Sequence, residues 1–283
     1  MMTTRTKIAL ARIVHRVIAR GRRLAGRGSS TVAARGGIRY HLDLDEGIDF
    51  SLYLLGAFEP RTRRALRRLV RRGDVVFDIG ANIGAHTLDL ARAVGSAGHV
   101  YAFEPADLAF AKLQRNLALN PPLAARTSAS RMFLAAVSSG ARAPDTYASW
   151  PLVACTAVHP TLRGQLASTA GAAIASLDDF VSRQRVARLD LIKIDVDGHE
   201  LPVLQGAAAT LRRFRPTLVM ELAPYLHAEA RHRFADFIAL LRRADYSLRP
   251  LGGGRPLPLD AARLARAIPD GASRNVIARA GGG

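Results

Sequence analysis

Cysteine and lysine are the scarce residues of this chain. Cys155 is the single cysteine among 283 residues, so no disulfide can form within the chain, and a disulfide-stapled scaffold is excluded. Alone, Cys155 reads as a small apolar loop residue, and a reducing cytoplasm is the expected location. No apolar run approaches the roughly 18 residues of a membrane span. Arg12 and Arg16 break the one apolar segment near the N-terminus, which speaks against a signal peptide. The pattern G-x-x-x-x-G-K-[ST] is missing, and with it a phosphate-cradling loop of that type. H-E-x-x-H and comparable ligand spacings are missing too, so no metal is expected. Apolar residues nonetheless make up 49%, enough for the core of one large α/β domain or two small ones.

Three lysines stand against 38 arginines, and the formal net charge is +18. Such a charge suggests nucleic acid until it is located. Residues 1–40 hold ten Lys/Arg and no acid, residues 41–60 five acids and no Lys/Arg, and residues 61–72 seven arginines and no acid. The excess therefore sits in two helical segments. No interleaving of basic and aromatic residues builds a stacking platform, so nucleic acid is not the expected partner. Within residues 5–24, Leu10, Ile13, Val14, Val17 and Ile18 recur at helical spacing among Arg12, Arg16, Arg20, Arg22 and Arg23. This basic amphipathic helix reads either as a peripheral contact with an anionic membrane or as a helix packed on the domain. Gly26, Gly28, Ser29 and Ser30 read as a linker. Residues 1–36 are thus expected to form an extension and residues 37–283 a single domain.

From residue 73 onward, strand-like and helix-like patterns alternate. Strands are expected over 75–79, 100–103, 132–137, 189–195, 217–222, 246–249 and 275–278, and helices over 85–94, 105–119, 200–214 and 227–243. Before them, residues 38–42 alternate in strand fashion, and residues 61–70 form a helix with arginines on its solvated face. The alternation predicts an α/β fold, a doubly wound and mostly parallel sheet with helices on both faces. Region 138–175 has scattered Gly, Pro and Ser around Trp150 and reads as a candidate lid over an acceptor.

The chemistry concentrates at two strand ends. Asp78-Ile79-Gly80-Ala81-Asn82-Ile83-Gly84 follows the apolar run Val75-Val76-Phe77, and Glu104 ends the next strand. This is the layout of an adenosine-bearing cofactor pocket in α/β folds. A dinucleotide loop needs a glycine where Asn82 stands, because the pyrophosphate lies against the backbone there. S-adenosylmethionine carries no phosphate and fits better. Gly80 and Gly84 would let the loop backbone contact its methionyl end, and Asp78 would receive its ammonium directly or through water. Glu104 would accept from both ribose hydroxyls, each charge-assisted bond contributing roughly 1.5–3 kcal/mol. The second strand end, Asp195-Val196-Asp197-Gly198-His199-Glu200, crowds acids that raise one another's pKa values. Asp195, Asp197 and His199 are the candidate catalytic residues, for placing an acceptor and removing its proton. Asp197 and Glu200 also suit helix capping. Glu221 ends a further strand on the same edge and either faces the acceptor pocket or is an ordinary strand-end acid.

In order along the chain, these blocks resemble the FkbM family of S-adenosylmethionine-dependent methyltransferases. The resemblance rests on Gly56-Ala57-Phe58-Glu59, the 73–84 block, Tyr101-Ala102-Phe103-Glu104-Pro105, Ala135-Ala136-Val137-Ser138, Ser176-Leu177-Asp178-Asp179-Phe180, the 192–200 block and Arg215-Pro216 leading to Glu221. It covers roughly residues 38–280. It implies a seven-stranded class I methyltransferase sheet with an antiparallel last strand, and methyl transfer to a hydroxyl of a small molecule, polyketide or sugar. The family pattern commonly has Glu at position 197, and Asp197 shortens that reach by one methylene. Two other readings stand beside this one. The arginine segments suggest an RNA-modifying methyltransferase or nucleic-acid-binding module, although Asn120-Pro121-Pro122-Leu123 matches the N-P-P-[YF] motif only superficially. An NAD-dependent dehydrogenase is disfavoured by Asn82.

Overall fold

A computed structural model of the chain describes residues 4–140, 142–147, 150–153 and 164–281. Cys155 and parts of the expected lid lie outside the described residues. Helix α1 (Thr4–Leu24) leads into a hairpin of β1 (Ser30–Arg35) and β2 (Ile38–Asp43), then α2 (Gly47–Leu55) and α3 (Pro60–Leu69). The alternating part comes next as β3 (Val75–Ile79), α4 (Ala85–Val94), β4 (His99–Phe103), α5 (Asp107–Ala118), the single turn α6 (Pro121–Ala124) and β5 (Thr127–Ser130). Three small strands, β6 (Met132–Leu134), β7 (Thr146–Tyr147) and β8 (Leu166–Ala167), and then β9 (Ala173–Ala175) lie outside the main sheet. The chain continues with α7 (Leu177–Arg183), β10 (Leu191–Ile194), α8 (Glu200–Gln205), α9 (Ala208–Phe214), β11 (Thr217–Leu222), α10 (Pro224–Glu229) and α11 (Phe234–Arg243). It closes with β12 (Tyr246–Pro250), α12 (Ala261–Ala267) and β13 (Arg274–Ala280).

Seven strands form the main sheet in the order β12-β13-β11-β10-β3-β4-β5. Pairings β11–β10–β3–β4–β5 are parallel, and β13 runs antiparallel to both neighbours. The expected class I methyltransferase sheet is therefore present, with its last strand antiparallel. Central strands are apolar on both faces, as helix-covered parallel strands must be. Phe77, Ile79, Ile192 and Met220 pack with Leu177 and Phe180 of α7, Leu204 of α8 and Phe237 of α11. Val76, Val100, Leu191 and Val219 pack with Leu66 of α3 and Leu90 and Val94 of α4.

The strand expected over 132–137 is different in the structure. The third parallel strand of the chain is the earlier, polar β5, Thr-Ser-Ala-Ser, at the sheet edge. The apolar residues Met132–Leu134 pair with β9 in a separate two-stranded sheet. The helix expected over 200–214 is two helices, because a Cβ on Gly206 would stand 2.1 Å from the Ala135 carbonyl oxygen and the chain turns there. Residues 30–35, within the segment expected as an extension, pair along their whole length as β1 with β2. Helix α1 also rests on this part of the chain. His15 Nε2 lies 2.9 Å from Asp45 Oδ1, its ring meets Phe50 edge-on, and Arg12 donates to the Pro151 carbonyl.

Candidate functional site

The chain crosses from one half of the sheet to the other between β3 and β10, so the carboxyl ends of these strands leave a crevice where open α/β sheets bind ligands. A cavity of about 1030 Å³ occupies that edge. It is lined by Gly80, Ala81 and Asn82 after β3, Glu104 after β4, Asp195, Asp197 and His199 after β10, Glu221 near the end of β11 and Tyr225 of α10. Asp195, Asp197, His199, Gly80, Asn82 and Glu104 are thus brought together around one space. Asp78 and Gly84 do not line it.

Asp78 needs a different account from the one its sequence position suggests. Its side chain is fully buried. Thr87 Oγ1 donates to Asp78 Oδ2 at 2.6 Å, and Lys193 Nζ lies 3.2 Å from Oδ1. The pairing is set by register, because Lys193 stands opposite Asp78 in the parallel β3–β10 pair. With its oxygens held inside the protein, Asp78 has no surface left for a cofactor ammonium. Gly84 is the N-cap of α4 at φ 87°, and a Cβ there would stand 2.6 Å from Leu113 Cδ1. It serves the packing of α4 on α5. Gly80 does line the cavity, yet its conformation answers to the protein as well. At φ +76°, a Cβ would lie 1.9 Å from the Asp195 carbonyl oxygen, so only glycine lets the two strand ends touch.

Glu104 is built into place. Oε2 accepts from the Asn82 N–H and Oε1 from the Ala106 N–H, both at 2.8 Å. Asn82 adopts φ 47°, accepts from the Ile83 N–H on its Oδ1 at 2.8 Å, and donates its own N–H to Glu104. Burial pushes the Glu104 carboxyl up to about 7, against the two backbone N–H groups that pull it down.

The end of the cavity formed by residues 195–200 is more crowded. Asp197 is in the left-handed region at φ 47°, followed by Gly198 at φ 92°. A Cβ on Gly198 would meet the Leu226 carbonyl at 2.4 Å, so the turn is pressed against the start of α10. Asp is one of the few residues that enters this conformation at modest cost, which gives a backbone reason for Asp rather than Glu at 197. Burial, followed by the charges of Asp195 and Glu200, pushes Asp197 up to about 8. Burial also raises Glu200 to about 7 and holds Glu221 well above its ordinary value, while Ser273 bonds it and pulls the other way. His199 caps α8. Its Nδ1 lies 3.3 Å from the Val196 carbonyl, a contact that makes Nδ1 the protonated nitrogen and leaves the lone pair on Nε2. Burial lowers its pKa, which keeps the ring neutral.

Lys193 joins the two ends, and sequence reading gave it no role. Its Nζ donates to the Gly80 carbonyl at 2.8 Å and lies 3.2 Å from Asp78 and 3.6 Å from Asp195. The side chain is almost wholly buried. Burial alone would lower its pKa, and Asp78 and Asp195 more than offset that, so it stays charged. A signal was available: in a chain with 38 arginines, lysine is kept at this place, where a compact ammonium fits and a planar guanidinium does not. His86 was also missed. It is buried on the cavity wall, its Nε2 has no hydrogen-bond partner, and burial, then Lys193, lowers it to about 4.

Taken together, the cavity wall carries the carboxylates of Glu59, Glu104, Asp145, Asp195, Asp197, Glu221 and Glu229 against the cations Lys193 and Arg231. Among the described residues no group of three or more His, Cys, Asp or Glu side chains could hold a metal ion. The family model described as the methyltransferase FkbM domain matches residues 78–248, from β3 into β12. The chain belongs to the FkbM methyltransferase family. Two curated members are similar to it. The 31-O-demethyl-FK506 methyltransferase FkbM of Streptomyces tacrolimicus is 31% identical over 166 aligned residues, covering 48% of this chain and 60% of that protein. The hexuronic acid methyltransferase AglP of Haloferax volcanii is 30% identical over 152 aligned residues, covering 53% of this chain and 56% of that protein. The chain therefore spans under two thirds of the length of either relative. Among solved structures, a methyltransferase FkbM from Methylobacillus flagellatus superposes with a TM-score of 0.46 at 18% identity, covering 80% of this chain and 49% of that one.

Proposed function

We propose that this FkbM-family chain transfers a methyl group from S-adenosylmethionine to a hydroxyl of a small molecule, polyketide or sugar. The observation that carries the reading is the charge of the cavity at the sheet's switch point. Burial holds Asp197 and Glu221 toward their neutral forms, yet seven acidic side chains line the space against two basic ones, Lys193 and Arg231, and such an acidic wall repels a pyrophosphate and attracts a sulfonium. That favours S-adenosylmethionine over NAD, and it disfavours a nucleic-acid backbone in the same space. The cofactor, when bound, supplies an electrophilic methyl carbon.

The residues divide the remaining work. Glu104, held by two N–H groups, presents its outer lone pairs to the ribose hydroxyls. The Gly80–Asn82 backbone bounds the methionyl end. Asp195, a third exposed and beside Lys193, orients the acceptor hydroxyl. Asp197, with its pKa near working pH, takes the acceptor's proton as the oxygen attacks, and neutral His199 is a second acceptor within the same turn. Rate enhancement would come mainly from alignment of the reacting atoms. The names of the two curated relatives, one for 31-O-demethyl-FK506 and one for a hexuronic acid, support a hydroxyl- or carboxyl-bearing small molecule as acceptor. Titration calorimetry with S-adenosylmethionine, followed by transfer of labelled methyl into extracts and hydroxylated small molecules, tests the reading. A folded protein that binds no S-adenosylmethionine overturns it.

A further inference from the structure

Helix α1 has two apolar faces, and the fold uses one. Ala11, Val14 and Ile18 pack against the cluster containing Tyr40, Ile48 and Phe50, and His15 is buried beside Asp45. Leu10, Ile13 and Val17 are left 56%, 60% and 71% exposed, and Leu24 83%. At about 100° per residue these four fall within about 60° of one another around the helix axis. Arg16, Arg20 and Arg23 are exposed and form a row along one flank of that stripe. No acid occurs before residue 43. The helix does not extend away from the molecule. Ala11 lines the cavity, as do Leu54 and Leu55 of α2, which are themselves 45% and 63% exposed. Among the described residues no helix is long and apolar enough to cross a membrane.

We infer that this face of α1 lies on an anionic lipid surface, with the leucine, isoleucine and valine side chains in the headgroup boundary and the arginine row on the lipid phosphates. The charge pattern selects this occupant. A polyanion in water, such as RNA, would engage the arginines and leave the apolar stripe wet. A second copy of this chain would bring a like-charged arginine row against the first. A bilayer satisfies both halves, and a helix of this length with separate basic and apolar stripes is the form that lies in an interface. The mouth of the cavity then opens beside the bilayer, which suits an acceptor with a lipid-like part. That last step rests on the methyltransferase reading; the lipid contact does not.

The test is flotation of the full chain with vesicles of phosphatidylcholine alone and of equal parts phosphatidylcholine and phosphatidylglycerol. Binding to the anionic vesicles, weakened by salt, is expected. Leu10→Ser/Ile13→Ser/Val17→Ser should abolish it. Arg16→Gln/Arg20→Gln/Arg23→Gln should weaken it by roughly 100-fold, from about tenfold or less per cation near the surface. Both variants alter exposed side chains, so their thermal unfolding and S-adenosylmethionine affinity should match the parent. Parent protein that ignores anionic vesicles, or binds neutral ones equally, overturns the inference. So does a parent dimer that the serine variant dissolves, since a second copy would then be the occupant. Because flotation needs no turnover, its outcome is independent of whether methyl transfer is observed.

Discussion

The two ends of the cavity are built on opposite principles. At the end proposed for the cofactor, Glu104 is fixed by two backbone hydrogen bonds and the surrounding turn is held by Asn82. At the end proposed for methyl transfer, Asp195, Asp197, Glu200 and Glu221 crowd one another, and three of the four are held above their ordinary pKa values. A recognition site benefits from a carboxylate that stays still. A proton-transfer site benefits from one whose ionisation is poised near working pH. Lys193 is the part they share, since it touches the Gly80 carbonyl on one side and faces Asp195 on the other.

The largest expected effect breaks the reaction end alone. Asp197→Asn should lower kcat by roughly 10²–10⁴-fold, the usual worth of a positioned general base, while S-adenosylmethionine affinity changes by less than about threefold. Equal losses of affinity and turnover would show that the two ends are not separable. Removing the shared part comes next. Lys193→Met leaves Asp78 buried without its cation, which should destabilise the fold by about 3–5 kcal/mol, read as a drop in Tm. Lys193→Met/Asp78→Asn should recover most of that stability, and a double variant no more stable than the single one would contradict the pairing. Breaking the cofactor end is expected to be milder. Glu104→Ala should weaken S-adenosylmethionine binding by about 1.5–3 kcal/mol for each ribose hydroxyl bond lost, measured by calorimetry, and affinity equal to that of the parent removes the ribose assignment.

How much of this is legible in the sequence differs by region for physical reasons. The strands β3, β4, β10 and β11 announce themselves as apolar runs because both faces are covered, and their terminal acids fall on one edge once the strands are parallel. β5 is invisible because an edge strand of Thr, Ser and Ala has neither an apolar run nor alternation. The apolar 132–134 segment beside it draws the assignment instead. Helix periodicity finds α1 but cannot divide Leu10, Ile13, Val14, Val17 and Ile18 between a docked and a free face, since that depends on where Phe50 and Asp45 lie. Asp78 reads as a ligand from its position after a strand. Only the β3–β10 register, which sets Lys193 opposite it, shows that its oxygens are already engaged.

The smallest effect, and the sharpest on the comparison, is in pH. Both ends contain a raised carboxyl, so the sign is the same: each group is protonated at low pH and gains its function as pH rises through its folded value. For Glu104 that value is about 7, and the carboxylate is the form that accepts from two hydroxyls. S-adenosylmethionine affinity should therefore improve between pH 6 and 8, and Glu104→Gln should flatten that profile. For Asp197 the value is about 8, so kcat/KM of the free enzyme should rise about tenfold from pH 7 to 9 as the base ionises. A bound sulfonium stabilises nearby carboxylates, so the kcat profile should lie at lower pH than the kcat/KM profile. Folding runs the other way. A carboxyl whose pKa is raised by folding stabilises the native state below its unfolded value near 4, and that contribution is lost as pH climbs from there through 7 and 8. Buried, neutral His86 and His199 act in the opposite sense up to the unfolded histidine value near 6.5, so without cofactor Tm should fall between about pH 6.5 and 8, while activity rises across the same interval. A Tm that climbs instead would mean that these carboxyls are ionised in the native protein, and that the contrast between a fixed end and a titratable end is drawn in the wrong place.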